Sequence, residues 1–268
     1  MIIDTHLHIG DRDDCKEILQ TSKFKDLYRL YSCLDVDTIN QTDRFVDKLD
    51  KFFAIPIVFC ETDIVGANQY VLNYSDKQNK AIPVLLIGDN CKFETIASMS
   101  KYNIFKEHFS LHNCEDFAKR NMIYDYISNS NGYLLLHTFQ EKTYEHIMNL
   151  RSTFPNMKII IAHLGRDSFA SWNYTKNMID LLSQDKNILT DISTIKNLEL
   201  IKYAIKMYGS DRVLFGTDFP YEVSPEIKLE KYLENVYSLN LKSKEIDNIL
   251  FNNALNVIED SEVKLLRK

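Results

Sequence analysis

The sequence has no block of basic residues, no stretch rich in proline, glycine and serine, and no apolar segment of bilayer length. Each absence narrows the function. Lysine and arginine total 32 against 38 aspartates and glutamates, a formal net charge of -6 at pH 7. No basic face alternates with aromatics, so neither nucleic acid nor an anionic membrane is an expected partner. The longest apolar runs, AIPIVF (54–59) and MKIIIA (157–162), fall far short of the roughly 20 residues that span a bilayer. In the opening MIIDTHLHIG, Asp4 interrupts what a leader would keep apolar, so no targeting segment is expected. The five cysteines (Cys15, Cys33, Cys60, Cys91, Cys114) are odd in number and show no CxxC spacing. Reduced thiols in a cytoplasmic protein fit this better than a disulfide framework or a thiolate metal site. No linker divides the 268 residues, and 45% hydrophobic content is ample for one large core.

What the chain does have is a recurring alternation. Short β-branched runs fall at 1–8, 52–60, 81–88, 103–109, 132–139, 157–165, 187–193 and 212–219. Several are apolar without alternation, as parallel strands covered on both faces are. Between them lie segments with helical periodicity, at 63–80, 91–101, 114–129, 141–153, 173–184, 196–208 and 224–238. Strand then helix, eight times over, predicts a single-domain (β/α)8 TIM barrel over residues 1–268. An open doubly wound sheet is the alternative, because patterning does not prove closure. The long first connection predicts a helical insertion at about 11–50 after the first strand, and two helices (242–251 and 252–259) close the C-terminal end.

The polar residues inside these runs carry the functional signal. His6 and His8 end the first run, His137 ends LLLH, His163 ends IIIAH and Asp218 ends VLFGTD. Functional groups of a (β/α)8 barrel gather where strands end. Residues two apart on a strand share a face, about 7 Å apart at Cα, so His6 and His8 can grip one cation. Taken singly, each residue has a plain structural reading: a polar strand end, a hydrogen-bonded core histidine, an aspartate capping a turn. Four of seven histidines at strand ends, with an aspartate, point to a metal site; only His108, His112 and His146 are left over. Of the seven glycines, Gly10, Gly88, Gly165 and Gly216 lie at or near the same rim.

IDTHLH, the strand ending in His137, IIAHLG and LFGTDFP, in that order, resemble the amidohydrolase superfamily. They look most like its metal-dependent branch of lactonases and decarboxylases of small acids, and FNNALNVI resembles that branch's C-terminal helix. The resemblance spans the chain. It implies metal ligands at His6, His8, His137 and Asp218, with His163 hydrogen-bonding the metal's water or the substrate. In binuclear members a carboxylated lysine ends strand four, near the place of Lys106. The resembled branch generally uses one metal, so Lys106 is expected to bind a substrate carboxylate or to be a solvated surface lysine. Arg166, directly after HLG, could clamp an anionic group or form a surface salt bridge.

Three imidazoles and a carboxylate suit one divalent ion, with Zn2+ expected and Mn2+ or Fe2+ as alternatives. Zinc lowers the pKa of bound water to about 7. Asp218 is then the expected general base, and His163 the group steadying developing negative charge. The expected reaction is hydrolysis of an amide, lactone or ester in a small polar molecule. Non-oxidative decarboxylation of a small aromatic or unsaturated acid is the alternative, and a catalytically inactive metal-binding barrel is a third reading. The loops at 9–50 and 164–175, which carry Arg12, Arg166 and Trp172, are expected to choose the substrate. A homodimer is compatible with all of this.

Overall fold

The structure is a computed structural model that describes residues 1–23, 42–88, 99–108, 117–138, 143–167, 171–221 and 229–263. Its strands are β1 (Ile3–Ile9), β2 (Lys51–Pro56), β3 (Ala81–Pro83), β4 (Leu85–Ile87), β5 (Ile104–Glu107), β6 (Tyr133–Leu136), β7 (Lys158–Ile161), β8 (Ile188–Asp191) and β9 (Val213–Leu214). Every paired neighbour is parallel. β3 and β4 are two pieces of one apolar run, parted where Pro83 offers no amide to a ladder. The Val84 amide carries the pairing across the gap by donating to Ala54 O at 3.0 Å.

The last strand returns to the first. Thr5 N donates to Phe215 O at 2.9 Å, Asp218 N to His6 O at 2.7 Å and His8 N to Phe219 O at 2.7 Å, and Leu7 bridges Phe219 in parallel. These bonds close the sheet into a (β/α)8 barrel and rule out the open arrangement. The helices fall close to the expected segments: Ile64–Lys77, Phe117–Asn129, Thr143–Thr153, Trp172–Leu182, Leu198–Tyr208 and Leu229–Tyr237. Asp63 and Asn197 cap the first and fifth of these through their side chains. In the first connection, helices span Arg12–Thr21 and Thr42–Val46, while 24–41 lie outside the described residues. So does most of the helix expected at 91–101, along with His112, Cys33, Cys91 and Cys114. The two C-terminal helices run Ser243–Asp247 and Asn253–Ser261, joined by a π-helical turn. Asn253 ties the second to the sheet by donating to Ser210 O and Val213 O at 2.7 and 2.8 Å.

Strand alternation sorts the buried residues into two cores. Phe52, Ala54, Phe105, Leu134, Leu136, Ile159 and Ile161 face the helices. Ile3, Phe53, Ile55, Ile104, Leu135, Ile160 and Leu214 form a second cluster with Ala254, Val257 and Ile258 of the last helix. Following each strand upward from this second cluster in steps of two, the residues turn polar: Ile104, Lys106, His108; Leu135, His137; Leu214, Gly216, Asp218. The interior is therefore an apolar plug below an ionisable layer.

Gly216 shows how tightly the layers meet. A Cβ there would lie 2.9 Å from His6 Cβ and 3.3 Å from Ser193 Cβ, neither of which can swing away. Gly216→Ala is expected to cost about 1–3 kcal/mol as an overpacked core position. Urea denaturation checks this, and an unchanged midpoint would show that β1 yields freely.

Candidate metal centre

β1 does not run straight into the site. Its register against β2 shifts between Asp4 and Leu7, a bulge that takes one residue out of the ladder and re-aims the side chains beyond it. The buried Asp4 carboxylate repairs the break: Oδ1 accepts from His6 N at 2.9 Å and Thr217 N at 3.1 Å, and Oδ2 from Thr217 Oγ1 at 2.6 Å. The first and last strands are thus held by one carboxylate just below the two histidines.

Three rings converge with defined tautomers. His6 Nδ1 donates to Asp191 Oδ2 at 2.8 Å. His8 Nδ1 donates to Pro56 O at 2.8 Å. His163 Nδ1 donates to Ser193 Oγ at 2.7 Å, and that hydroxyl donates in turn to Asp191 Oδ1. Each Nε2 is left as a lone-pair donor, with a partner behind the ring that fixes its plane. All three histidines are buried, and His163 Nε2 has no hydrogen-bond partner.

Asp218 meets these nitrogens from the other side. Its Oδ1 lies 3.2 Å from His8 Nε2 and 3.4 Å from His6 Nε2, and its Oδ2 lies 3.9 Å from His163 Nε2. Tetrahedral bonds of about 2.1 Å put neighbouring donors about 3.4 Å apart, so this set fits a zinc-sized divalent ion. Among the described residues, two clusters of metal-capable groups occur, His6–His8–Asp218 and His6–His163–Asp191. The electrostatics agree. Burial pulls His8 down to about 4 and His163 down to about 3, so both rings are neutral at physiological pH. Burial alone would raise Asp218 and Asp191, but the adjacent histidines outweigh it and hold both below the usual carboxylate range.

Backbone strain places two of these groups. His163, Leu164 and Gly165 follow one another in the left-handed region, with φ of 57°, 56° and 75°, and Asp218 has φ 61°. Such turns are unfavourable for residues with a Cβ and gather at functional sites. Here they are held by hydrogen bonds, from His163 N to Asp191 Oδ1 at 3.0 Å and from Asp218 N to His6 O at 2.7 Å.

The remaining expected residues sort unevenly. Lys106 is fully buried, not a surface lysine; its ammonium donates to His6 Nε2 at 3.0 Å. Burial pulls its pKa down to about 8, against the pull of Asp218 and Asp191. Arg166 is 8% exposed, and its charge is felt by His163. His137 belongs to neither cluster. Its half-buried ring stands edge-on to His163 with centroids 5.2 Å apart and lies flat on His108. Asp191 and Ser193 are not among the sequence-based candidates, although Asp191 ends the run NILTD just as Asp218 ends VLFGTD.

A closed parallel barrel with this buried donor set on its rim is that of a metal-dependent barrel enzyme. The sequence profile of the amidohydrolase family matches residues 101–258, more than half of the chain, and the chain belongs to that family. No curated protein sequence matches it significantly. Solved structures with the same fold include 5-carboxyvanillate decarboxylase of Novosphingobium aromaticivorans, complexed with manganese and 4-hydroxy-3-methoxy-5-nitrobenzoic acid. It is 12% identical with a TM-score of 0.73, covering 97% of this chain and 96% of that one. A dihydroxybenzoic acid decarboxylase of Polaromonas, with bound manganese and 2-nitroresorcinol, is 14% identical at TM-score 0.67 over 100% and 99% of the two chains. A Pseudomonas putida protein provisionally designated 2-pyrone-4,6-dicarboxylic acid hydrolase is 16% identical at TM-score 0.67 over 97% of each. At such identities the likeness establishes the fold.

Asp191→Asn keeps the shape of the hub but gives His6 Nδ1 and Ser193 Oγ a weaker acceptor. Groups that orient metal-binding histidines typically contribute 10- to 100-fold in affinity, and a loss of about that size is expected. Competition with a chromophoric chelator measures it; wild-type affinity in the variant would remove Asp191 from the centre.

Proposed function

We propose that the chain uses one divalent metal to act on a small carboxylic acid, and that it releases the carboxyl group as CO2. The observation that carries the anionic substrate is Lys106. A fully buried ammonium whose hydrogen bond goes to an imidazole and not to a carboxylate is costly until an anion joins it. It stands beside His6; with an ion on His6 Nε2 the ammonium would give up that bond, leaving it to a carboxylate that also touches the metal centre.

In this reading His6, His8 and Asp218 hold the ion, with His137 as the fourth ligand. When bound, the ion polarises the oxygen atoms it holds and stabilises negative charge on them. Zinc is the preferred ion from the donor set; the manganese of two similar structures makes Mn2+ the alternative. Lys106 orients the substrate carboxylate. Arg166, also buried and close enough for its charge to be felt by His163, binds a second polar group of the substrate. Asp218 and His163, with Oδ2 and Nε2 3.9 Å apart, form the pair that moves a proton. In decarboxylation that proton ends on the carbon that loses CO2. The decarboxylases among the similar structures favour this outcome over hydrolysis.

Hydrolysis of a lactone, amide or ester bond is the second reading. It draws on His163 Nε2, a buried lone pair without a hydrogen-bond partner beside Asp218, placed to accept a hydrogen bond from an attacking water. The similar P. putida protein lends it support as well. Hydroxylated aromatic acids and lactone acids should be screened in ¹⁸O-labelled water. Release of CO2 with no ¹⁸O in the organic product is expected; label in a new carboxylate selects hydrolysis instead. Lys106→Gln should raise KM for the acid 10- to 100-fold, the worth of a charged hydrogen bond, while metal content stays near one equivalent. An unchanged KM would remove Lys106 from substrate binding.

A further inference from the structure

His108 lies outside the ligand set and outside the proton-moving pair. It follows β5 two residues after Lys106, so it shares that lysine's face of the strand, and it is 8% exposed. Its ring lies against the ring of His137 with centroids 3.9 Å apart and planes 16° from parallel. Among the described residues no other pair of site rings is so close: His6 and His163 are 4.7 Å apart at 21°, His6 and His8 5.3 Å at 44°, and His137 and His163 5.2 Å at 79°.

We propose that His108 is the positioning residue for His137: its flat face fixes the plane in which His137 presents a ring nitrogen to the metal centre. The proposal rests on the reading of His137 as the fourth ligand.

Two features make the platform stiff. The strand carrying His108 is registered against the strand carrying His137, because His137 N donates to Glu107 O at 3.0 Å. The Glu107 side chain, on the opposite face of β5, is anchored in a buried network. Its Oε1 accepts from Tyr124 Oη at 2.8 Å and lies 3.1 Å from Arg120 Nε, while its Oε2 accepts from His146 Nε2 at 3.0 Å. Burial would raise Glu107, but His146 and Arg120 outweigh it and keep it ionised. Pulling His108 away from His137 would mean uprooting this network from beneath the helices Phe117–Asn129 and Thr143–Thr153.

A platform is needed because of how His137 is placed. His6, His8 and His163 are enclosed on all sides, whereas His137 is only half-buried at the rim. The terminal torsion of a histidine is broad, and a ring packed flat on a second ring has less room to turn. A parallel surface at van der Waals distance restricts that rotation without occupying either ring nitrogen of His137. Its requirement is geometric: a flat ring at position 108, with no nitrogen needed there.

The full chain loaded with Co2+ tests this through two readouts that do not depend on turnover. These are the dissociation constant from chelator competition and the visible ligand-field spectrum, which reports the donors around cobalt. H108F keeps a flat face, while H108L fills a similar volume without one and H108A removes both. H108F is expected within about threefold of wild type with the same spectrum. H108L and H108A are expected to bind about 10- to 100-fold more weakly, as when a group that orients a metal-binding histidine is lost, with altered bands. If H108A fails to fold, H108F against H108L decides. Wild-type affinity and spectrum in H108L overturn the proposal. So does H108F as weak as H108L, since a nitrogen at position 108 would then be what matters. A wild-type chain that takes up no Co2+ overturns the metal-centre reading itself, and the His108 role falls with it.

Discussion

The site depends on one buried carboxylate. Asp191, at the end of β8, accepts from His6 Nδ1, His163 N, Ser193 N and Ser193 Oγ, and so ties the ends of β1, β7 and β8 to one point. A fully buried carboxylate is costly unless its lone pairs are met by donors. Here every donor that meets it belongs to a group that shapes the centre. Its ionisation fixes the tautomer of His6 directly and that of His163 through Ser193, and both rings must turn Nε2 inward as a result. The strained turn at His163 survives because its amide is also held by Asp191.

Asp4 does the corresponding work one layer lower, where the bulge in β1 would strand an amide and the segment after β9 must turn. Both aspartates lie beside the stretch where the barrel closes, between β1 and the segment 215–219. Closure and ligand placement are therefore the same event. The hydrogen bonds that join the last strand to the first also set His6, His8 and Asp218 at mutual distances that suit one cation.

The vertical order of the interior supplies the contrast on which the chemistry rests. Below lies a plug of Ile3, Phe53, Ile104, Leu135 and Ile160 sealed by the last helix; above it stand five imidazoles, two carboxylates and a buried ammonium. The apolar floor excludes water and lowers the effective dielectric, so charges in the upper layer act on one another strongly. That is also why burial draws Lys106, with its ammonium on His6, down toward 8 against the pull of Asp218 and Asp191. No helix among the described residues is long and apolar enough to cross a membrane; the apolar runs are spent on this interior.

How much of this was legible in the chain differs from residue to residue. The alternation of apolar runs with helical segments, and the placing of His6, His8, His163 and Asp218 at strand ends, follow from local sequence, because strand period and strand length are local properties. Lys106 is different: an isolated lysine in NIFKEHF reads equally well as a surface residue, and only closure of the barrel shows that its face is the interior. The hub at Asp191 was hidden for another reason, since its bond to His6 joins residues 185 positions apart. The stacking of His108 on His137 depends on the register between two strands, which neither strand encodes alone. By itself, then, the sequence determined which side chains stand at the ends of which strands. The tertiary structure decided which of them meet, which ring nitrogen each imidazole turns inward, and which charges lie buried. Those depend on closing the sheet, and closure is a contact between the first strand and the segment after the last, residues some 210 positions apart.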